Sequence, residues 1–252
     1  MSATVPTAPR IIYMLWLQGE QAAPELVRLN FRRWASLNPD YDLGILNGDD
    51  VDRLLVGFNL RPTQMMPQAL SNVVRAKLLL QGGVWADATL FPTEPLDAWL
   101  PDRLKDAGFF AFERPGADRP LSTWFLAASP DHVMMRKWWA ELVRFWSKPR
   151  TVRMYIPDNP VWEVRPDGGA EKDEYPYYLF HYLFDYLLQT NADFAAQWGR
   201  CSKMSAGPPQ LLHHLCADAR PEYAAVLTAA HAAPVHKLNW RHAYPLDILE
   251  TL

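Results

Sequence analysis

Asp87 is the only acid in the run Ser71–Phe91, "SNVVRAKLLLQGGVWADATLF", and the hydroxyl of Thr89 follows it two residues later. On a strand that spacing puts both side chains on one side. Upstream, Asn72 and Arg75 are three apart and Ser71 and Arg75 four apart, so on a helix the three polar side chains share a face. A guanidinium on a helix and a carboxylate at a strand tip could close around a ligand. Arg75 could pair with a phosphate, or with Asp87 itself. In the second case the two form a buried ion pair and no ligand is involved.

The elements that must position these groups are legible as patterns. Residues 68–81 have helical periodicity, with Leu70, Val73, Val74, Leu78 and Leu79 apolar, and Gly82-Gly83 ends the helix. A double glycine allows a tight reversal and close approach of a ligand to the backbone. "VWADATLF" then reads as one strand with Asp87 near its carboxyl end. Earlier, "RIIYMLWL" and "YDLGILN" read as strands, "PELVRLNFRRWASLNPD" as a helix and "DDVDRLLVGF" as a short one. Later, "FFAFE" and "TWFLAAS" read as strands, "PDHVMMRKWWAELVRFW" and "YPYYLFHYLFDYLLQT" as helices, and "PVHKLNWR" as a short strand or loop. Residues 148–172 are Pro-rich and read as irregular. Strands alternating with helices predict an α/β fold with a mainly parallel central sheet flanked by helices. Ligands bind at the carboxyl ends of the strands in such sheets.

Composition narrows the class. A chain of 252 residues with a formal charge of −3 has no basic excess, so nucleic acid is a poor partner. The eleven tryptophans suit a large aromatic core and also flat ligands such as bases and sugar rings. The two cysteines, Cys201 and Cys216, read as reduced thiols, because a zinc site with His213 and His214 fits no common spacing. No signal-like start and no apolar stretch of about 18 residues is present, so the expectation is a soluble, cytoplasmic protein with any membrane contact peripheral, at the inner face.

The run from Ser71 to Thr89 resembles the central motif of the capsular polysaccharide synthesis proteins and of glycosyltransferase family 32, where a Ser-Asp-x-x-Arg helix is followed by Gly-Gly, an aromatic residue and an Asp-x-Asp strand end. Here it is Ser71-Asn72-Val73-Val74-Arg75, then Gly82-Gly83-Val84-Trp85-Ala86-Asp87-Ala88-Thr89. "RIIYMLWLQGE", "FRRWASLNPDYDLGILN", "YYLFHYLFDYLL" and "PVHKLNW" resemble further family segments in the same order, over roughly residues 10–240. Two positions depart from the pattern. Asn72 stands for the helix acid, and Thr89 for the second acid of Asp-x-Asp, a poor substitute against a hard divalent cation.

The resemblance implies a nucleotide-sugar-binding fold of GT-A type in one glycosyltransferase domain over residues 1–252. Its donor half is about 10–128 and its helical, acceptor-side part about 129–252. It implies transfer of a sugar from a nucleotide-diphosphate donor, UDP-sugar favoured, to a saccharide acceptor in capsule or surface polysaccharide synthesis, with retention of configuration. Retention needs no carboxylate base, since the leaving phosphate can take the acceptor proton. Inversion would need one, with Asp173, Glu174 and Asp185 as candidates. Asp87 and Arg75 are the expected catalytic residues. The donor would meet Trp16, Gln18, Asn72, Arg75, Asp87, Thr89, Lys237 and Trp240, with Trp16 against the base. His181 and Asp173 fall on the acceptor side. A divalent manganese or magnesium ion would sit on Asp87 with His236 as the second ligand, while Lys237 or Arg75 could supply the positive charge instead. The alternative is a catalytically weakened protein of the same fold that binds a carbohydrate or nucleotide sugar.

Overall fold

Apolar residues on both faces of the first strand decide the architecture. In β1, Ile11–Leu15, the side chains of Ile12 and Met14 join one buried cluster and Tyr13 joins another. The same alternation holds in β3, Gly83–Ala86, where Val84 and Ala86 oppose Trp85. It recurs in β5, Phe109–Gly116, and β6, Arg119–Ala128. A sheet buried on both faces needs helices on both sides. The structure, a computed structural model describing residues 8–58, 65–147, 153–156, 159–163, 177–217 and 221–252, shows that arrangement.

The central sheet has six strands in the order β2-β1-β3-β6-β5-β9, with β2 at Asp42–Leu46 and β9 at Lys203–Ser205. Three of its five pairings are parallel, β1 with β2, β1 with β3 and β5 with β9, so the α/β expectation with a mainly parallel sheet is met. β6 runs antiparallel between β3 and β5. Helix α1, Glu25–Leu37, covers one face with Val27, Phe31 and Trp34. The short helices α2, Gly48–Leu54, and α4, Leu100–Leu104, flank the chain on either side of α3, Pro67–Leu78. The other face is covered by α3, α5 at Val133–Trp146, α6 at Leu179–Thr190 and α7 at Ala192–Arg200. There the Trp138 and Phe180 rings stack 3.7 Å apart.

Two expectations need correction. The run "VWADATLF" is not one strand. β3 stops at Ala86, the chain turns through Asp87-Ala88-Thr89, and β4 resumes at Leu90–Pro92. The Leu90 amide donates to the Asp87 carbonyl at 2.8 Å, Asn30 donates to the Ala88 carbonyl at 2.8 Å, and Trp34 Nε1 donates to the Leu90 carbonyl at 2.8 Å. Side chains of α1 therefore hold the turn. Residues 148–172 are not wholly irregular either, because β7, Arg153–Ile156, and β8, Asn159–Glu163, pair as an antiparallel hairpin. Among the described residues no helix is long and apolar enough to cross a membrane.

Candidate functional site: a carboxylate shared by two cations

Asp87 leaves the carboxyl end of β3 on the face of Trp85, as period two requires, and Trp85 Nε1 donates to Asp87 Oδ1 at 2.9 Å. Arg75 arrives from α3, its guanidinium 4.9 Å over the Trp85 ring. Arg75 Nη2 donates to Asp87 Oδ1 at 3.0 Å and to Ser71 Oγ at 2.8 Å, and Nη1 donates to the Thr123 carbonyl on β6. From the far end of the chain, β10, Val235–Lys237, pairs antiparallel with β4 and sets Lys237 opposite Leu90. Lys237 Nζ donates to Asp87 Oδ2 at 3.0 Å and also to Thr89 Oγ1. One carboxylate thus faces two cations, and the cradle carries a net positive charge.

Burial pushes the Asp87 carboxyl up, but Lys237, Arg75 and the Trp85 hydrogen bond outweigh it and hold the group below its ordinary value. Exposure separates the two cations. The Arg75 side chain is 5% exposed, whereas those of Asp87 and Lys237 are 24% and 25% exposed. Of the two partners left open for Arg75 the structure shows Asp87: the guanidinium is spent on internal partners and positions the carboxylate, rather than lying open to a donor as expected, and Asp87 and Lys237 form the open side. Asn72 is also buried here and makes no side-chain hydrogen bond among the described residues.

Trp16 follows β1, and its ring meets Trp240 edge to face, centroids 5.7 Å apart at 88°. Trp240 is 41% exposed and carries the Arg241 guanidinium 4.7 Å over its ring. Gln18 is exposed nearby in sequence and has no side-chain partner among the described residues. Tyr177, which the sequence did not single out, is exposed yet feels the charges of Asp87 and Arg75. Asn30 and Thr123 were missed as well, and Trp85 was read only as the aromatic residue of the motif, with no role of its own. Asn30 has a signal, since it interrupts the apolar stripe Leu26-Val27-Phe31-Trp34 of α1.

On the other side, His181 Nε2 lies 3.3 Å from Thr123 Oγ1, and Nδ1 is buried without a partner among the described residues. A cavity of about 590 Å³ is lined by Arg114, Asp118, Arg119 and Asp185. Tyr182 donates to Asp118 at 3.0 Å and Arg119 stacks on Tyr178 at 3.8 Å, which links this cavity to the His181 helix. Asp87 does not line this cavity, nor one of about 460 Å³ beside β2. Asp173 and Glu174 lie outside the described residues.

Burial, with Arg119 and Arg75 adding, drops the His181 pKa to about 3, so the ring stays neutral. The unfolded chain takes up that proton near its ordinary value of about 6.5, so stability present above that pH is lost as pH falls toward the folded value. By pH 5 the loss from this one residue is on the order of 2 kcal/mol. His181→Asn should therefore lose less melting temperature than the wild type between pH 7.5 and 5, read by circular dichroism.

Among the described residues, those called as ligands do not fit a divalent cation. His236 is a correction: Lys237 faces the cradle, so its strand neighbour points the other way. Fully buried, His236 donates from Nε2 to the carbonyls of Ala230 and Ala233, at 2.9 and 3.1 Å. Thr89 spends its hydroxyl on Lys237. Among the described residues no three His, Cys, Asp or Glu side chains converge as ligands. The two cysteines are free and lie in different apolar clusters, so they do not converge on one zinc ion.

Fold and site together define an α/β protein that presents a cation-bound carboxylate, beside the Trp85 indole, at its strand ends. The chain belongs to the capsular polysaccharide synthesis protein family, whose model matches residues 2–157. It is 27% identical over 151 residues to the Saccharomyces cerevisiae protein named "Putative glycosyltransferase HOC1", covering 51% of this chain and 38% of that one. The chain thus spans well under half the length of that relative. A crystal structure of a glycosyltransferase involved in glycosylation of the major capsid of PBCV-1 aligns over 96% of this chain and 98% of its own, with 12% identity and a TM-score of 0.46. The galactosyltransferase LgtC, solved with donor and acceptor sugar analogs, aligns over 82% and 90%, with 10% identity and a TM-score of 0.37.

Proposed function

We propose that this chain is a glycosyltransferase of GT-A type that moves a sugar from a nucleotide-diphosphate donor, UDP-sugar favoured, to a saccharide acceptor in capsule or surface polysaccharide synthesis. The observation that carries it is the cradle at the tip of β3, where Asp87 and Thr89 share the ammonium of Lys237. Breaking the bond from the anomeric carbon to a diphosphate builds negative charge on the leaving group, and fixed cations stabilise it. Trp16 and Trp240 supply the aromatic surface for a base. The cavity beside Asp118 and Arg119 supplies room for a saccharide.

Transfer proceeds with retention. In that course the acceptor proton passes to the leaving phosphate and no carboxylate base is used. Asp185, which lines the acceptor cavity, is the base candidate if configuration inverts. Nuclear magnetic resonance of the product anomer separates the two courses.

The test is a panel of nucleotide sugars, each with an oligosaccharide acceptor, read by released nucleoside diphosphate. Activity with at least one donor that disappears in Asp87→Ala supports the enzyme. Donor binding without release would mean the weakened binding protein instead. Trp16→Ala should weaken nucleotide affinity by about 10- to 100-fold, as removal of a base–aromatic stack does, measured by calorimetry.

A further inference from the structure

We propose that the Lys237 ammonium takes the place of the divalent cation, so that this chain holds its donor diphosphate without a metal. The inference rests on the donor-site reading above and goes beyond it by naming the group that meets the leaving phosphate.

Four observations converge. First, strand register delivers the lysine. Lys237 stands opposite Leu90, and the Leu238 amide donates to the Thr89 carbonyl at 3.0 Å, so the backbone pins Lys237 beside the turn. His236, anchored in the core through Ala230 and Ala233, fixes which way the strand faces. Second, Lys237 Nζ already bridges Asp87 Oδ2 and Thr89 Oγ1, the two side chains between which a metal would have to sit. Third, the charges match a monocation. Asp87 is the single carboxylate at the turn, its Oδ1 is taken by Arg75 and Trp85, and position 89 supplies a neutral hydroxyl. Before a diphosphate enters, a divalent ion there would face two fixed cations with one carboxylate among the described residues to balance it. Fourth, an ammonium has three donors and two are used on partners among the described residues, which leaves one for a phosphate oxygen at a partly open side chain.

The step balances without a metal. The bond between the anomeric carbon and the diphosphate oxygen breaks, and its electron pair stays on the diphosphate. The acceptor oxygen forms the new bond to the anomeric carbon, and its proton passes to the leaving phosphate. Lys237 donates a hydrogen bond to the departing group and transfers no proton.

The experiment is calorimetric titration of the full chain with the common nucleoside diphosphates, in excess chelator and again with manganese. At least one should bind with affinities agreeing within about threefold between the two conditions. In chelator, Lys237→Ala should bind that nucleotide about 10- to 100-fold more weakly, the effect of one charge-assisted hydrogen bond, and Lys237→Arg should recover part of the loss. Melting temperatures of both variants identify a misfolded one, and Lys237→Met, which keeps the stem, then stands in. Binding that needs manganese, or an unchanged affinity in folded Lys237→Ala and Lys237→Met, overturns the inference and leaves the donor site standing. Failure of every diphosphate in both conditions overturns both.

Discussion

Asp87→Ala is expected to cost the protein both stability and turnover. Without the carboxylate, Arg75 keeps Ser71 and Thr123 but loses its charge partner while 4% exposed. Removing one partner of a buried ion pair destabilises by about 3–5 kcal/mol, since the remaining charge stays out of water. Lys237 would keep Thr89 alone and no longer be aimed. Transfer should fall by at least about 100-fold, the scale of losing one preorganised electrostatic element. Urea unfolding at pH 7 measures the first effect and nucleotide release the second. The lowered pKa of Asp87 also fixes a sign. Its stabilising contribution is present above the ordinary carboxylate value of about 3.9 and is lost only as pH falls through the lower folded value. Asp87→Ala should therefore show less loss of stability than the wild type at strongly acid pH.

The second large effect is expected at the double glycine. Gly82 has φ +81°, and a Cβ there would sit 2.7 Å from the Pro130 backbone nitrogen, 2.7 Å from Pro9 Cδ and 3.0 Å from the Ala128 carbonyl oxygen. Backbone cannot step aside as a side chain can. Gly82→Ala combines a left-handed conformation, costing roughly 1 kcal/mol, with a clash, so a total on the order of 3 kcal/mol is expected. Gly57 is the control, since it has φ +82° but nothing among the described residues within 4 Å of its would-be Cβ. Gly57→Ala should lose only the conformational part, roughly 1 kcal/mol, by the same unfolding measurement. Gly82 precedes β3 directly, so displacement there should also move Asp87 and weaken nucleotide binding.

Much of this was legible because it is local. The helix before the glycines, the strand after them and the acid at its end follow from periodicity and punctuation within twenty-one residues, Ser71 to Phe91. The meeting of Arg75 with Asp87 was one of two open possibilities, and the contact shows that the guanidinium is used mostly inside the protein. Lys237 was readable as a donor residue only through family resemblance. Its hold on Thr89 spans 148 positions and depends on the pairing of β10 with β4, which no local pattern encodes. His236 shows the limit of residue type. An imidazole beside the site suggested a ligand, but strand parity sends it into the core. The break at Asp87 was hidden because its causes, Asn30 and Trp34, sit on a different helix. The antiparallel course of β6 between β3 and β5 likewise has no signature in alternation alone.

The most direct measurement is a crystal structure of the protein with the nucleoside diphosphate that raises its melting temperature most. The cradle requires a diphosphate oxygen within about 3.2 Å of Lys237 Nζ, with the base against Trp16. A diphosphate bound away from Lys237 and Asp87 would contradict it.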